Sequence, residues 1–534
     1  MIRYPIGTQD FKKLRNNRCV YVDKTALIYR LATEGSIYFL SRPRRFGKSL
    51  LVSTLKYYFQ GHKELFQGLA MERLEQDWTP HAVLHVDFSI GNFTRPGFLE
   101  ELLDSLLSRW EKLYGRKSDT CSTALRFANV IEAAHLATGQ PVVVLVDEYD
   151  KPLLDVLETE QPMPGDEQPG IREADHRELL KEFYSVFKLA DEHLRFVLLT
   201  GVTKFSQISI FSGFNQPEDI TSSGEFDTIC GIMPEELHQY FQNDIEEMAT
   251  QNGLTAEAMC SQLKAHYDGY HFSRKMRDVY NPFSLLNALK EKAVADYWFR
   301  TGTPSYLLRL MANSRQNLMN LAGKFYEPAQ FADCKANVEQ LLPMIYQSGY
   351  FTIKQYDRET GLYLLDFPNQ EVARGFLMAA TEDFLHSRFG EGSTGLLRLG
   401  NALLHNDMQT FRTELTALFA GASYRLRAGL DDAGRETYFQ YGFYLVLRMI
   451  GTFTVEVERE TSHGRIDCVV QTPRYTYIME FKRDSSARHA MEQINQRDYP
   501  AAFRADGRSV VKIGINFSSE SGTVNDFAAE ADTL

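Results

Sequence analysis

The stretch Ser41-Arg42-Pro43-Arg44-Arg45-Phe46-Gly47-Lys48-Ser49 constrains this chain most. An apolar run, Ser36-Ile37-Tyr38-Phe39-Leu40, leads into it, and Leu50, Leu51, Thr54, Leu55 and Tyr58 follow at helical spacing. Strand, short loop and helix with Gly-Lys-Ser at the join is the layout of a phosphate-cradling loop. Backbone N–H groups at the helix start face the anion, and the helix dipole favours negative charge there. In that reading Lys48 reaches the outer phosphates of ATP and the Ser49 hydroxyl ligates Mg²⁺, with Arg44, Arg45, Phe46, Gly47 and Leu50 completing the cradle. The full pattern wants a glycine five positions before Gly47, where this chain has Arg42. Pro43, Arg44 and Arg45 also make the loop stiffer and more basic than a glycine-rich one. The plainer alternative is a basic turn ahead of a surface helix.

A second stretch bears on that choice. Pro141-Val142-Val143-Val144-Leu145-Val146-Asp147-Glu148-Tyr149-Asp150 reads as a fully buried parallel strand with carboxylates at its carboxyl end. Open α/β sheets place their ligand sites at that end. Asp147 would hold Mg²⁺, directly or through water, and Glu148 would polarise an attacking water. The alternative is a pair of helix-capping acids after a core strand. Leu194–Leu199 is a further buried strand, ending in Thr200-Gly201-Val202-Thr203. Thr200 or Thr203 would sense the γ-phosphate there, or merely cap the next segment. The order of strand, loop, helix, strand (82–88), helices (98–114 and 122–138), acidic strand, helix and threonine-tipped strand is consistent over more than a hundred residues, which counts for more than any one motif.

The chain has 534 residues, too many for one core, so two to four domains are expected. Its formal net charge of −12 argues against a generally basic nucleic-acid binder while allowing one basic site. The six cysteines are scattered without a Cys-x-x-Cys pair, which fits a reducing cytosol and no zinc site. With no apolar signal core and no run long enough to span a bilayer, a cytoplasmic protein without membrane contact is expected. Asp23 is a candidate N-cap for a helix near Lys24–Thr33. Acidic and aromatic helices fill 215–300. The turn Tyr267-Asp268-Gly269-Tyr270-His271-Phe272 reads as a packed corner between them. Residues 300–425 read as mostly helical, interrupted by a hairpin around 349–365.

The C-terminal region holds another cluster. Strands at 454–460, 464–470 and 475–482 carry Asp467, Glu480 and Lys482, and the last two face the same way because strand side chains repeat every two residues. A hairpin brings Asp467 beside them. Two carboxylates and a lysine can bind Mg²⁺ or Mn²⁺ through hard oxygen ligands and orient a metal-activated water. The helix Ala487–Arg497 puts Gln493, Gln496 and Arg497 on or near one face, and Glu436 and Gln440, one helical turn apart, could add a ligand. Lys482, Arg483, Arg488, Arg497 and Arg504 would suit a phosphate backbone. The alternative is an ordinary charged hairpin with a Glu–Lys surface pair.

On Arg42–Ser49, Leu145–Asp150, Thr200–Ser206, Tyr267–Tyr270, Tyr280–Phe283, Gly464–Asp467 and Glu480–Lys482, the chain resembles the bacterial family that joins an AAA-ATPase-like domain to a PD-(D/E)xK nuclease-superfamily domain. The resemblance spans nearly the whole chain. Ile466 replaces the proline of the superfamily signature, which is not a ligand. The implied fold class is α/β: a P-loop NTPase parallel-sheet core, a helical middle region and a C-terminal α/β restriction-endonuclease-like domain. The expected segments are an ATPase-like domain at 1–215, a helical lid-like subdomain at 216–300, a mainly helical linker at 301–425 and a nuclease-like domain at 426–534. ATP and Mg²⁺, with Mn²⁺ as an alternative at the second site, are the implied cofactors, and nucleic acid is the implied partner of the C-terminal domain. A homo-oligomer is also implied, since ring-forming ATPases borrow an arginine from a neighbour, though no arginine here is singled out. Two readings compete: an ATP-controlled metal-dependent nuclease, with Glu148, Asp467, Glu480 and Lys482 as catalytic residues, and a signalling or scaffold ATPase whose C-terminal domain binds DNA or protein without cutting.

Overall fold

Six consecutive buried residues, Val142–Asp147, form a strand covered on both faces. In the computed structural model this segment is one of five strands: β1 (Ile37–Ser41), β2 (Val83–Asp87), β3 (Val142–Asp147), β4 (Leu194–Gly201) and β5 (Glu218–Asp219). All pair in parallel, in the order β2-β3-β4-β1-β5. The structure describes residues 3–115, 122–157, 173–204, 217–298, 307, 321–332, 341–385, 393–420, 432–449 and 453–532. Because β4 lies between β1 and β3, the loop leaving β1 and the acids ending β3 flank the tip of β4. The strands' carboxyl ends are thereby brought to one edge of the sheet, as the P-loop expectation requires.

The helix Lys48–Phe59 leaves β1 directly, and its buried Leu51, Val52, Leu55 and Phe59 face the core. Helices Phe98–Tyr114, Thr123–Thr138 and Glu173–Leu189 close around stacked rings, with Phe127 and Phe183 at 4.4 Å between centroids. Asp23 is not the N-cap expected of it: the helix runs Thr25–Glu34 with Lys24 at the cap position, and the Asp23 carboxylate, one residue earlier, accepts from the N–H and hydroxyl of Thr25 at 2.9 and 2.6 Å.

Helices Pro234–Gln251, Ala256–Tyr267 and Pro282–Glu291 share a core that includes Leu237, Phe241, Leu263 and Leu285. The last begins at Asn281, whose side chain accepts from the N–H groups of Phe283 and Ser284, with Pro282 in the first helical position. The expected hairpin forms as β7 (Thr352–Tyr356) and β8 (Tyr363–Asp366), and β6 (Lys324–Tyr326) adds a third strand that the sequence did not suggest. Gly269 has φ +88°, and a Cβ there would stand 2.4 Å from the Pro368 carbonyl, so the turn between Asp268 and Tyr270 requires glycine.

The chain packs as two compact units, and among the described residues it passes from the first to the second between Glu371 and Val372. Segment 301–425 is thus shared between the units. In the second, β9 (Thr454–Thr461), β10 (Gly464–Gln471), β11 (Tyr475–Arg483), β12 (Ser509–Phe517) and β13 (Val524–Ala531) form a mixed sheet ordered β13-β12-β11-β10-β9. Only β11 and β12 are parallel. Parallel neighbours need a crossover, supplied by the helix Ala487–Gln496, which buries Ala487, Ala490, Met491 and Ile494. Gly514 of β12 admits it: a Cβ there would lie 2.4 Å from the Ala487 carbonyl. Strands β12 and β13 had no counterpart in the sequence reading. Lys512 and Asn516 interrupt the apolar run of β12, yet both are buried, with Lys512 donating to Asn495 at 2.8 Å and Asn516 to Asn525 at 2.7 Å.

The molecule is therefore an α/β protein with a P-loop-type parallel core, a helical middle and a C-terminal α/β nuclease-like sheet. Among the described residues, no helix is long and apolar enough to cross a membrane.

Candidate functional site

The loop after β1 is a nest of backbone donors. Arg45 has φ +71° and Gly47 φ +95°, left-handed positions that turn successive N–H groups toward one side. Among the described residues, no carbonyl or side-chain oxygen accepts from the N–H groups of Arg45, Phe46 or Gly47. Lys48 is buried and folds back on the loop, donating to the carbonyls of Arg42 at 2.8 Å and Pro43 at 3.2 Å. Burial lowers its pKa, and the charges of Asp147, Asp150 and Glu148 oppose that shift. Ser49 stands half-buried in the first turn of the helix.

The other members of the expected cradle divide in two. Arg44 and Arg45 are exposed. The Arg44 carbonyl accepts from the Trp298 indole at 3.1 Å, and the Arg45 guanidinium lies 4.9 Å over the Phe283 ring. Phe46 instead turns inward, edge-on to Tyr270 at 4.7 Å and to Phe272 at 5.4 Å, so it serves the nest through its backbone. The aromatic turn is a packed corner, as expected, and what it packs against is the loop. Beside Gly47 and Leu50 opens a cleft of about 100 Å³, lined mainly by apolar side chains such as Val22, Ile232, Pro282 and Leu286.

Arg42, which replaces the expected glycine, does not face the cradle. Its guanidinium donates to the carbonyls of Ser41 and Thr221, both at 2.8 Å, and of Phe226 at 3.3 Å, and it lies 4.2 Å over the Phe272 ring. The side chain is 1% exposed. It cross-links the loop to the segment after β5, and its charge is not offered to a ligand.

At the end of β3, Asp147 accepts on Oδ1 from the Thr200 hydroxyl at 2.7 Å and from the Glu148 N–H at 3.1 Å. Oδ2 is thus the oxygen suited to a cation. Thr200 is fully buried and acts on Asp147, while the Thr203 hydroxyl donates to Asp150 at 2.7 Å. Glu148 has φ +54°, unusual for a residue with a side chain. Burial, then the charge of Asp147, raises its pKa, against Lys48 and Arg44.

In the second unit, β10 and β11 bring Asp467, Glu480 and Lys482 together. Asp467 Oδ2 accepts from the Phe481 N–H at 2.8 Å. Glu480 is fully buried, and its Oε2 accepts from the Gln493 amide at 2.8 Å. Gln493 in turn accepts from Lys482 at 2.7 Å, and Lys482 lies 3.7 Å from Glu480 Oε2. Among the described residues, Glu480 Oε1 has no hydrogen-bond partner of normal geometry. Burial, then the nearby Asp467 carboxylate, lifts the Glu480 pKa from the ordinary 4.5 to about 9. Two acceptors face each other, and only a shared proton or a cation can sit between them. The donor set of two hard carboxylates fits Mg²⁺ or Mn²⁺, although among the described residues no three His, Cys, Asp or Glu side chains converge. The Glu436 side chain lies outside the described residues, while Gln440 is half-buried on the helix Asp432–Met449. Of the expected backbone-binding cations, Arg504 pairs with Asp498 and Asp532, Arg488 with Glu492 and Arg483 with Asp484.

Comparison with known proteins bears on the two regions that hold these sites. Residues 5–211 match the family model described as "Predicted AAA-ATPase", and residues 434–527 match the "PD-(D/E)XK nuclease superfamily". The protein called "Uncharacterized protein in vnfD 5'region" of Azotobacter chroococcum mcd 1 is 34% identical over 539 aligned positions covering 99% of each chain. The chain belongs to the AAA-ATPase-like family with a C-terminal PD-(D/E)XK nuclease-superfamily domain. Within this AAA-ATPase-like protein, Arg42, Asp150 and Gln493 differ in how visible they were beforehand. Gln493 was found by its helical face, but the partners of Arg42 and Asp150 lie far along the chain.

Two outcomes follow from these geometries. Arg42→Gly restores the glycine of the motif yet orphans three carbonyls. It should cost about 3 kcal/mol or more, seen as a lower denaturation midpoint of the ATPase unit; an unchanged midpoint would remove the cross-linking role. For Glu480, the folded state without metal keeps a proton that the unfolded state loses above pH 4.5. Its contribution is complete below that value and is lost as pH rises to about 9, with stability falling by up to ~1.4 kcal/mol per pH unit. In chelator, Glu480→Gln should flatten this fall between pH 6 and 9 in denaturant titrations.

Proposed function

We propose that this AAA-ATPase-like protein binds and slowly hydrolyses ATP, and that its nucleotide state controls a metal-dependent nuclease acting on nucleic acid. The observation that carries the nuclease reading is the half-buried Asp467 set against the fully buried Glu480, backed by Gln493 and Lys482. A domain that only binds has no use for two carboxylates held face to face at the expense of a raised pKa. Asp467 and Glu480 would hold the divalent cation. When bound, it lowers the pKa of a water and offsets phosphate charge. Gln493 fixes the Glu480 carboxylate, and Lys482 orients the nucleophile and steadies the phosphate.

At the other site, the N–H groups of Arg45–Gly47 and the Lys48 ammonium would hold the phosphates, with Lys48 exchanging its two carbonyl partners for phosphate oxygens. The apolar cleft beside Gly47 and Leu50 would receive the base. Ser49 and Asp147 would hold Mg²⁺, with Thr200 fixing Asp147. Glu148, its pKa raised by burial, would accept a proton from the attacking water. A lysine drawn back into its loop suits slow turnover and a switch better than a motor.

The test is nicking of supercoiled plasmid and single-stranded DNA in Mg²⁺ or Mn²⁺, with and without ATP. Asp467→Ala should lose about 10²-fold or more of the cutting rate. Lys48→Ala should lose binding of a fluorescent ATP analogue and any effect of ATP on cutting, while keeping basal cutting. Equal nicking by the Asp467 variant would sink the site assignment, and no cutting of DNA or RNA under any condition would favour a binding-only domain.

A further inference from the structure

Asp150 ends the acidic stretch after β3 and is assigned no part in the chemistry above. By position it is a helix N-cap: its backbone carbonyl accepts from the Leu154 N–H at 3.0 Å, the first helical bond of Lys151–Leu157. An N-cap side chain normally turns back to its own helix. This one does not. Its Oδ2 accepts from the N–H of Val202 at 3.0 Å, the N–H of Thr203 at 2.6 Å and the hydroxyl of Thr203 at 2.7 Å. The side chain is 1% exposed, and all three donors come from the chain just beyond β4.

Two neighbouring bonds tighten the same seam. The Tyr149 N–H donates to the Thr200 carbonyl at 3.0 Å, and the Tyr149 hydroxyl to the Thr203 carbonyl at 2.9 Å. Gly201 is the residue that lets Asp150 approach, since a Cβ there would meet Asp150 Oδ1 and the Tyr149 ring at 2.6 Å. Between this seam and Asp147 sits Glu148 in its left-handed conformation, which costs an L-residue about 1–2 kcal/mol and persists only where the surroundings over-determine it.

We propose that Asp150 is a positioning residue for ATP hydrolysis: by clamping the end of β4 to the turn after β3, it holds Glu148 in the left-handed conformation from which its carboxylate meets the attacking water. The inference rests on the proposed role of Glu148. Without the clamp, residues 148–150 relax to ordinary backbone angles and Glu148 is re-aimed, while the phosphate nest and the base cleft keep their residues. Asp150 therefore acts on turnover and not on binding. The three bonds need an acceptor oxygen at that point, which Asn also provides.

The experiment compares kcat and KM for Mg²⁺-ATP in the full chain, Asp150→Ala, Asp150→Asn, Glu148→Gln and the double variant Glu148→Gln/Asp150→Ala. Asp150→Ala should lower kcat by about 10-fold or more with KM within about 3-fold, and Asp150→Asn should recover most of that loss. The double variant should be no slower than Glu148→Gln alone, because a residue acting through Glu148 has nothing left to act on. Multiplying losses in the double variant, a loss confined to KM, or no loss at all would each overturn the inference. If Asp150→Ala does not fold, Thr203→Val removes one donor of the same clamp, and the same kcat loss and non-additivity with Glu148→Gln are required of it. The two proposals fail differently. Turnover that depends on Glu148 but ignores Asp150 removes only the clamp. Turnover that ignores Glu148 removes the proposed hydrolytic site and the clamp with it.

Discussion

A carboxylate taken out of water has to be met by donors, by a shared proton or by a cation. The two candidate sites of this chain answer that requirement in opposite ways. At the end of β3, Asp147 and Asp150 are met by hydroxyl and N–H donors from β4 and the residues just beyond it. At the junction of β10 and β11, Glu480 faces Asp467 with one oxygen lacking a hydrogen-bond partner of normal geometry among the described residues, and its pKa is raised to about 9. The first arrangement is complete as a protein structure and sets geometry. The second is incomplete until something positively charged enters, which is what a metal-dependent site needs.

The first arrangement depends on sheet order. With β4 between β1 and β3, the tip of β4 lies between the phosphate loop and the acids, and its residues are the natural donors to the carboxylates. Thr200 meets Asp147 and Thr203 meets Asp150. Tyr149 ties its hydroxyl to the same strand end. The phosphate loop is held from the other side by residues far along the chain. Phe46 sits among Tyr270 and Phe272, and the Arg44 carbonyl receives Trp298. The signature stretches around Tyr270 and Asn281, which carry no chemistry of their own, thus have a mechanical part in shaping the nest.

Much of this was legible in the sequence because its signals are local. Gly47-Lys48-Ser49 between a strand and a helix, the valine run before Asp147, and the period of two linking Glu480 to Lys482 all need only neighbours to be read. What was not legible depends on distant partners or on backbone angles. Asp150 looks like a capping acid until Val202 and Thr203 are placed beside it. The left-handed angle of Glu148 has no sequence mark, since such angles are ordinarily signalled by Gly or Asn. Strand β12 was hidden because Lys512 and Asn516 break its apolar run, and only Asn495 and Asn525 explain why they are tolerated inside. Arg483, Arg488 and Arg504, which suggested a phosphate track, each stand beside a local acid, so sequence counting overstated the free positive charge.

Arg42 is where local reading and structure diverge most usefully. A glycine at the head of a phosphate loop normally serves a tight turn and a close backbone approach. Here the chain turns without it, because β1 extends its pairing through the Arg42 N–H to the Gly201 carbonyl at 3.1 Å, while the guanidinium anchors the loop to Thr221 and Phe226. The loop is thus fastened at its head by the Arg42 side chain and at its middle by Phe46 and by the Arg44 carbonyl. A nest held that firmly gives up flexibility that a fast cycle of binding and release would use. The same fastening links the loop to the segment after β5 and to the aromatic turn. Displacement of Lys48 from its two carbonyl partners by phosphate would therefore be felt in those elements first.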